Sequence, residues 1–197
     1  MKLVLASSNR GKLDELRSLL ADTGIELVAQ SELGVDDADE TGLTFVENAL
    51  IKARHASRVT GLPALADDSG LCVEVLGGAP GLLSARYAGH HGDAEANIDK
   101  LLDVLADTPD ERRSAHFHCV LVLLRHAEDP QPLIVEGEWQ GRILHQRDGT
   151  GGHGYDPVFF DPQHQQSAAS MTPALKNQIS HRGKALTLLK QRLQQAP

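Results

Sequence analysis

The chain has 197 residues, 41% of them hydrophobic and 23% charged, with Lys+Arg 19 against Asp+Glu 27 and a formal net charge of −8. Those proportions are typical of a globular, water-soluble fold long enough for one sizeable core or two closely joined lobes. The acidic balance excludes a dedicated nucleic-acid binder, whose affinity would come from a basic face, but a small anionic substrate needs only a local cluster of cations.

Cys72 and Cys119 both lie in apolar stretches, which predicts buried free thiols in a reducing compartment rather than a disulfide. The start of the chain, MKLVLASSNR, has too short an apolar run for a signal peptide, and no later run approaches membrane-spanning length. A cytoplasmic protein with no membrane association is expected.

Residues 2–7 read as a short buried strand. Leu13, Leu16, Leu19 and Leu20 then recur at helical spacing, predicting a helix over 11–22 capped by Asn9 and stopped by Gly24. Residues 25–29 read as a second strand, followed by the acidic loop GVDDADETG. Thr44 is placed to cap a helix over 45–60 with Val46, Ala49, Leu50 and Ala53 inward. PALADDSGLCVEVL reads as strand, turn and strand, because Asp, Ser and Gly are turn formers. A glycine-rich loop covers 77–89, and a helix around 94–106 carries periodic Ile98, Leu101, Leu102 and Leu105. Residues 114–125 and 133–145 read as a long antiparallel pair. A second glycine-rich loop leads to a strand edge, and the chain ends with a short helix after Thr172-Pro173 and a final helix of about 180–194. Early alternation of strands and helices followed by a hairpin predicts an α/β fold with a mixed sheet.

Several stretches could carry chemistry. SSNRGK (7–12) stands between a strand and a helix, where backbone N–H groups favour an anion and Lys12 adds charge, although a capped helix with a surface lysine also accounts for it. The P-loop glycine spacing is absent. Asn48 and Lys52 share a helix face with Glu47 adjacent and Glu40 upstream, an arrangement that a solvated charged face also explains. Asp67 and Asp68 interrupt an apolar strand, where carboxylates are costly without compensation. With Glu40 or Glu47 they would form the oxygen cluster that Mg²⁺ prefers, while a plain turn is the alternative. GGHGYDP and KNQISHRGKAL offer rings, glycines and donors, and Ser180 there could simply cap the last helix. His116 and His118 share a strand face but lack a third metal ligand.

Taken together the motifs resemble the inosine triphosphate pyrophosphatase family. They stand in family order as Ser7–Lys12, Thr44–Ala53, Ala66–Leu71, Gly78–Tyr87, Gly149–Phe159 and Ser180–Leu186. The resemblance implies a two-lobed α/β domain over 1–197, with an elongated mixed β-sheet flanked by helices, a central nucleotide-binding cleft, and homodimer assembly. It implies hydrolysis of deaminated purine nucleoside triphosphates to the monophosphate and pyrophosphate, with Mg²⁺ as cofactor. Ser7, Ser8, Asn9, Arg10, Gly11 and Lys12 would bind the nucleotide, chiefly its phosphates, assisted by Lys52. Asp68 would be proton acceptor and metal ligand, with Glu40 as second ligand and Asp67 close by, which makes ADDSG the catalytic turn. Ser69 would touch the substrate, and His153, Gly154, Tyr155, Asp156, Lys176, His181 and Arg182 would hold base and sugar. Two departures stand out: His153 replaces the usual Phe, and Ser-Ser-Asn replaces a frequent Thr-Gly-Asn, the second expected to matter little.

Overall fold

The computed structural model describes residues 1–195, Arg10 by its backbone alone. Strand β1 (Lys2–Leu5) leads into helix α1 (Arg10–Leu20), which returns the chain to β2 (Glu26–Ala29), parallel to β1 with Leu3 beside Leu27. Asn9 caps α1 by accepting the Lys12 N–H at 3.1 Å. Helix α2 (Phe45–Thr60) begins with a capping box: Thr44 Oγ1 accepts the Glu47 N–H, and Glu47 reaches back to Thr44 Oγ1 and the Leu43 N–H. Gly61, at φ +67, ends the helix in a left-handed turn.

Strand β3 (Ala64–Val73) is parallel to β1, with Val4 beside Ala64 and Leu5 beside Leu65. β1 therefore stops where β3 continues, and Asp67 and Asp68 extend past its carboxyl end. Ligands of open α/β sheets gather at such ends. After α3 (Ala94–Val104) come the sheet neighbours β4 (Ser114–Leu124) and β5 (Leu133–Ile143), joined by a loop too short for anything but opposite directions. Short β6 (Phe159–Asp161) and β7 (Gln166–Ser167) continue the sheet in antiparallel pairs, and α4 (Pro173–Ile179) and α5 (His181–Gln195) follow. The sheet order is β2-β1-β3-β4-β5-β6-β7, the mixed α/β arrangement read from the sequence.

The chain falls into two compact units. The first comprises Met1–Asp68, Cys119–Gly137 and Arg182 onward, and the second Ser69–His118 and Glu138–His181. In the first, strand alternation feeds two cores. Leu3, Leu5, Leu65, Leu121 and Leu123 pack with Leu13, Leu16 and Leu20 of α1 and Ala185, Leu186 and Leu189 of α5. Val4, Ala6, Ala64, Ala66, Val120 and Val122 pack with Ala49, Ala53 and Ala56 of α2. The second unit has an aromatic core in which Phe117 lies 4.6 Å from Phe159 between ring centroids, with Trp139 donating to Asp161 at 2.9 Å.

The sequence predicts a turn at ADDSG; the structure has an unbroken strand there instead. Local turn preference yields because both carboxylates meet cations in extended geometry, as the next subsection details. What β3 does need at its end is Ser84, from the loop after Pro80. Its Oγ accepts the buried Leu71 N–H at 2.9 Å and donates to Gly81 O at 2.6 Å, while its carbonyl accepts the Tyr155 hydroxyl at 2.8 Å. Ser84→Ala strands the Leu71 N–H, so denaturant unfolding should show a loss of about 1–3 kcal/mol. An unchanged midpoint would mean that Ser84 ties nothing.

Candidate active site

Successive residues on a strand point to opposite faces. Asp67 therefore shares the side of Leu65 and faces α1 and α5, whereas Asp68 shares the side of Ala66 and faces α2. Each helix supplies a cation to the carboxylate it covers.

Asp67 has a fully buried side chain. Lys12 Nζ from the first turn of α1 donates to Oδ1, Arg182 Nε from α5 donates to Oδ2 at 2.8 Å, and the Cys119 thiol lies 3.4 Å from Oδ2. Burial pushes the Asp67 carboxyl up, but Arg182 and Lys12 outweigh it and hold the group well below the usual carboxylate range. Arg182 also donates to Glu15 Oε2 at 2.6 Å. Burial opposes its charge, and Asp67 and Glu15 more than restore it. Burial, then the Asp67 charge, raises the Cys119 thiol far above its ordinary value, so it stays a neutral packing group.

On the opposite face, Lys52 Nζ donates to Asp68 Oδ1 at 2.6 Å and to the Asp67 carbonyl at 2.9 Å, and lies 3.4 Å from Glu40 Oε1. Burial raises the Asp68 carboxyl by more than Lys52 lowers it, and Glu40 adds to the rise. Burial lowers the Lys52 ammonium, but the two carboxylates bring the net shift upward. Two adjacent aspartates thus have opposite electrostatic characters: one firmly ionised, one with raised proton affinity.

Among the described residues no three His, Cys, Asp or Glu side chains form a metal-binding group. Glu40 and Asp68 nevertheless converge on one cationic position, marked by the Lys52 ammonium. Their oxygens suit Mg²⁺, which is commonly held by one or two carboxylates together with water and substrate phosphates. Asp67 faces away and Glu47 is engaged in the α2 cap, so neither joins Glu40 and Asp68 as the sequence allowed.

Ser7 Oγ accepts the Asn9 N–H at 3.2 Å, Ser8 is exposed, and Gly11 lies in the first turn of α1. The Arg10 side chain lies outside the described residues. The first unit thus brings together Ser7, Ser8, Asn9, Gly11, Lys12, Glu40, Lys52, Asp68 and Arg182.

In the second unit, Ser69 is half-buried on β3. Buried Asp156 accepts the His153 N–H at 2.8 Å and the Lys176 ammonium through Oδ2. Gly152, at φ +73, passes so close that a Cβ there would lie 2.0 Å from that oxygen, which explains the glycine. His153 is exposed, Gly154 half-buried and Tyr155 buried, its phenol raised by burial. His181 stacks on Phe117 with centroids 4.8 Å apart and planes at 14°.

Arg182 is 3% exposed and bonded to two carboxylates, so its visible work is to hold Asp67 and Glu15. The sequence reading passed over Glu15, whose i, i+3 spacing from Lys12 on α1 was the available signal. It also passed over Ser84 and Asp37, whose partners are distant in sequence.

A family model described as Ham1 family matches residues 3–192. The chain is 66% identical over 191 residues to a dITP/XTP pyrophosphatase of Xanthomonas campestris pv. campestris, covering 97% of this chain and 96% of that one. It is 61% identical over 188 residues to the dITP/XTP pyrophosphatase of Escherichia coli O157:H7, covering 95% of each. The structure of a HAM1 protein from Coxiella burnetii aligns with a TM-score of 0.93 at 50% identity, covering 100% of both chains. With sequence and fold matched from the first strand into the last helix, the chain belongs to the Ham1 family.

Proposed function

We infer that the chain hydrolyses noncanonical purine nucleoside triphosphates, ITP and XTP and their deoxy forms, to the nucleoside monophosphate and pyrophosphate. This would keep deaminated purines out of DNA and RNA. The observation that carries the reading is the convergence of Asp68, Glu40 and Lys52, with Lys12 near enough to act on the Asp68 charge. Near-full-length identity to proteins named for dITP and XTP supports the substrate class.

The polyphosphate binds Ser7–Lys12, where the helix amino end and lysine charge favour an anion. Glu40 and Asp68 would hold Mg²⁺, which when bound neutralises charge on the phosphate oxygens. Asp68 accepts a proton from the attacking water as the water oxygen bonds to the α-phosphorus and the bond to the leaving pyrophosphate breaks. Its raised proton affinity suits that task. Lys12 and Lys52 stabilise the leaving charge, so no covalent intermediate is needed. Ser69 is assigned a substrate contact, and base and sugar contacts are assigned to His153, Gly154, Tyr155, Asp156, Lys176, His181 and Arg182, the last of which also braces Asp67. A cytoplasmic homodimer is the proposed setting.

Side-by-side assays should show ITP and XTP hydrolysed far faster than ATP and GTP, with EDTA abolishing turnover and Mg²⁺ restoring it. Equal rates on ATP would refute the substrate class, and full activity without metal would remove Glu40 and Asp68 as ligands.

Asp68→Asn preserves shape but removes the proton acceptor. Its kcat on ITP should fall by at least about 10²-fold with the thermal midpoint little changed. Near-wild-type turnover would take Asp68 out of the mechanism.

In ¹⁸O-labelled water the label should enter the monophosphate, because attack at the α-phosphorus leaves pyrophosphate as the departing group. Label in pyrophosphate would instead place attack at the β-phosphorus.

A further inference from the structure

Glu40 sits on the acidic segment 34–42, which has no helix or strand of its own. Its ends are well fixed. The N–H of buried Val35 donates to Gln30 O at 3.0 Å, and Gly42 N–H donates to buried Asn48 Oδ1 at 2.8 Å. Its middle borders an open cavity of about 450 Å³ lined by Asp37, Asp39, Ile51, Arg54, His55 and Arg58. Polar ties also hold this stretch.

Besides the Lys52–Glu40 ion pair, two sets of ties reach it among the described residues. His55 Nε2 lies 3.0 Å from the Asp36 carbonyl oxygen. Asp37 Oδ1 accepts from Ser8 Oγ at 2.6 Å and from the Gln30 side-chain amide, which also lies 3.3 Å from Ser8 Oγ. Gln30 is buried, so its amide is anchored. Three segments thus close one ring: the anion loop through Ser8, the turn after β2 through Gln30, and the acidic segment through Asp37. Hydrogen bonds to a carboxylate are stronger than neutral ones, so the ring favours one arrangement of the segment.

We propose that Asp37 is a positioning residue that, through Ser8 and Gln30, latches the acidic segment to the phosphate-binding loop and so sets where Glu40 stands relative to Lys52 and Asp68. The proposal rests on the reading of Glu40 as a metal ligand. The Ser8 arm of the latch depends on a hydroxyl, so it belongs to the Ser-Ser-Asn sequence found here. The serine, expected from sequence to matter little, becomes a working part.

The test uses Ser8→Ala, Asp37→Ala and the double variant in the full chain. Amide hydrogen exchange of 34–42 is measured without metal or nucleotide, alongside the Mg²⁺ concentration giving half-maximal ITP hydrolysis. Each single variant should exchange at least about 5-fold faster within 34–42 and little elsewhere, as expected for local opening. The Mg²⁺ requirement should rise about 10-fold, as when a residue that orients a ligand is lost. The double variant should do no more than Asp37→Ala, since both break one ring. Unchanged exchange, a rise spread over the whole chain, or fully additive effects would each overturn the latch. If Asp37→Ala fails to fold, Ser8→Ala carries the test. A wild-type chain inert towards ITP would sink the proposed function, with the exchange data still deciding the latch.

Discussion

A carboxylate with no exposed surface, in the middle of an apolar strand, is the constraint around which the first unit is organised. Asp67 is tolerable only because Lys12 and Arg182 reach it from helices far apart in sequence. Removing either cation would leave a buried charge undercompensated, a strongly destabilising change. The network thereby fixes α1 and α5 over the same strand and draws Lys12 back to the loop where an anion would bind. Because its proton affinity is depressed in the fold, Asp67 adds stability above the ordinary carboxylate range, and that contribution is lost as pH falls through the folded-state value.

Asp68 has the opposite sign. Its folded-state proton affinity is raised, so it favours the fold at low pH and that contribution is lost as pH rises through the folded-state value. The fold therefore holds an ionised Asp68 at some cost, with Lys52 offsetting part of the burial. A carboxylate kept reluctant to ionise is a better proton acceptor than an ordinary one. In the second unit Asp156 repeats the structural half of this pattern, with the Lys176 ammonium and the His153 amide around a buried carboxylate.

Much of this was legible in the residues. The Asn9 and Thr44 caps and the leucine spacing of α1 are local signals, and the structure has both helices with those caps. The inner face of α2 was legible too: Ala49 and Ala53 are buried, Val46 and Leu50 are partly buried and pack against the same core, and Asn48, Ala56 and Ser57 extend the buried stripe. ADDSG was misread for a nonlocal reason, since its turn chemistry is overridden by cations 55 and 115 residues away in sequence. The Ser8–Gln30–Asp37 ring was equally hidden, because nothing in a polar loop announces which donor will reach which carboxylate. The motifs located the participants, and alternation along β3 decided which would meet.

That alternation makes register a chemical variable. β1 and β3 pair with Val4 beside Ala64 and Leu5 beside Leu65. A slip of one residue would carry every side chain of β3 to the other face. A slip that put Asp68 in the place of Asp67, against Lys12 and Arg182, would move Asp67 to the place of Ala66 on the α2 face, so the pairing of each aspartate with its own cations would be lost. The apolar residues oppose that slip: with cores on both faces, small Ala64 and Ala66 must meet alanine-rich α2 while Leu65 fills the side of α1 and α5. Side-chain volume in the core thus determines which aspartate meets Lys12 and Arg182 and which meets Lys52, a choice made in the residues just before the first carboxylate.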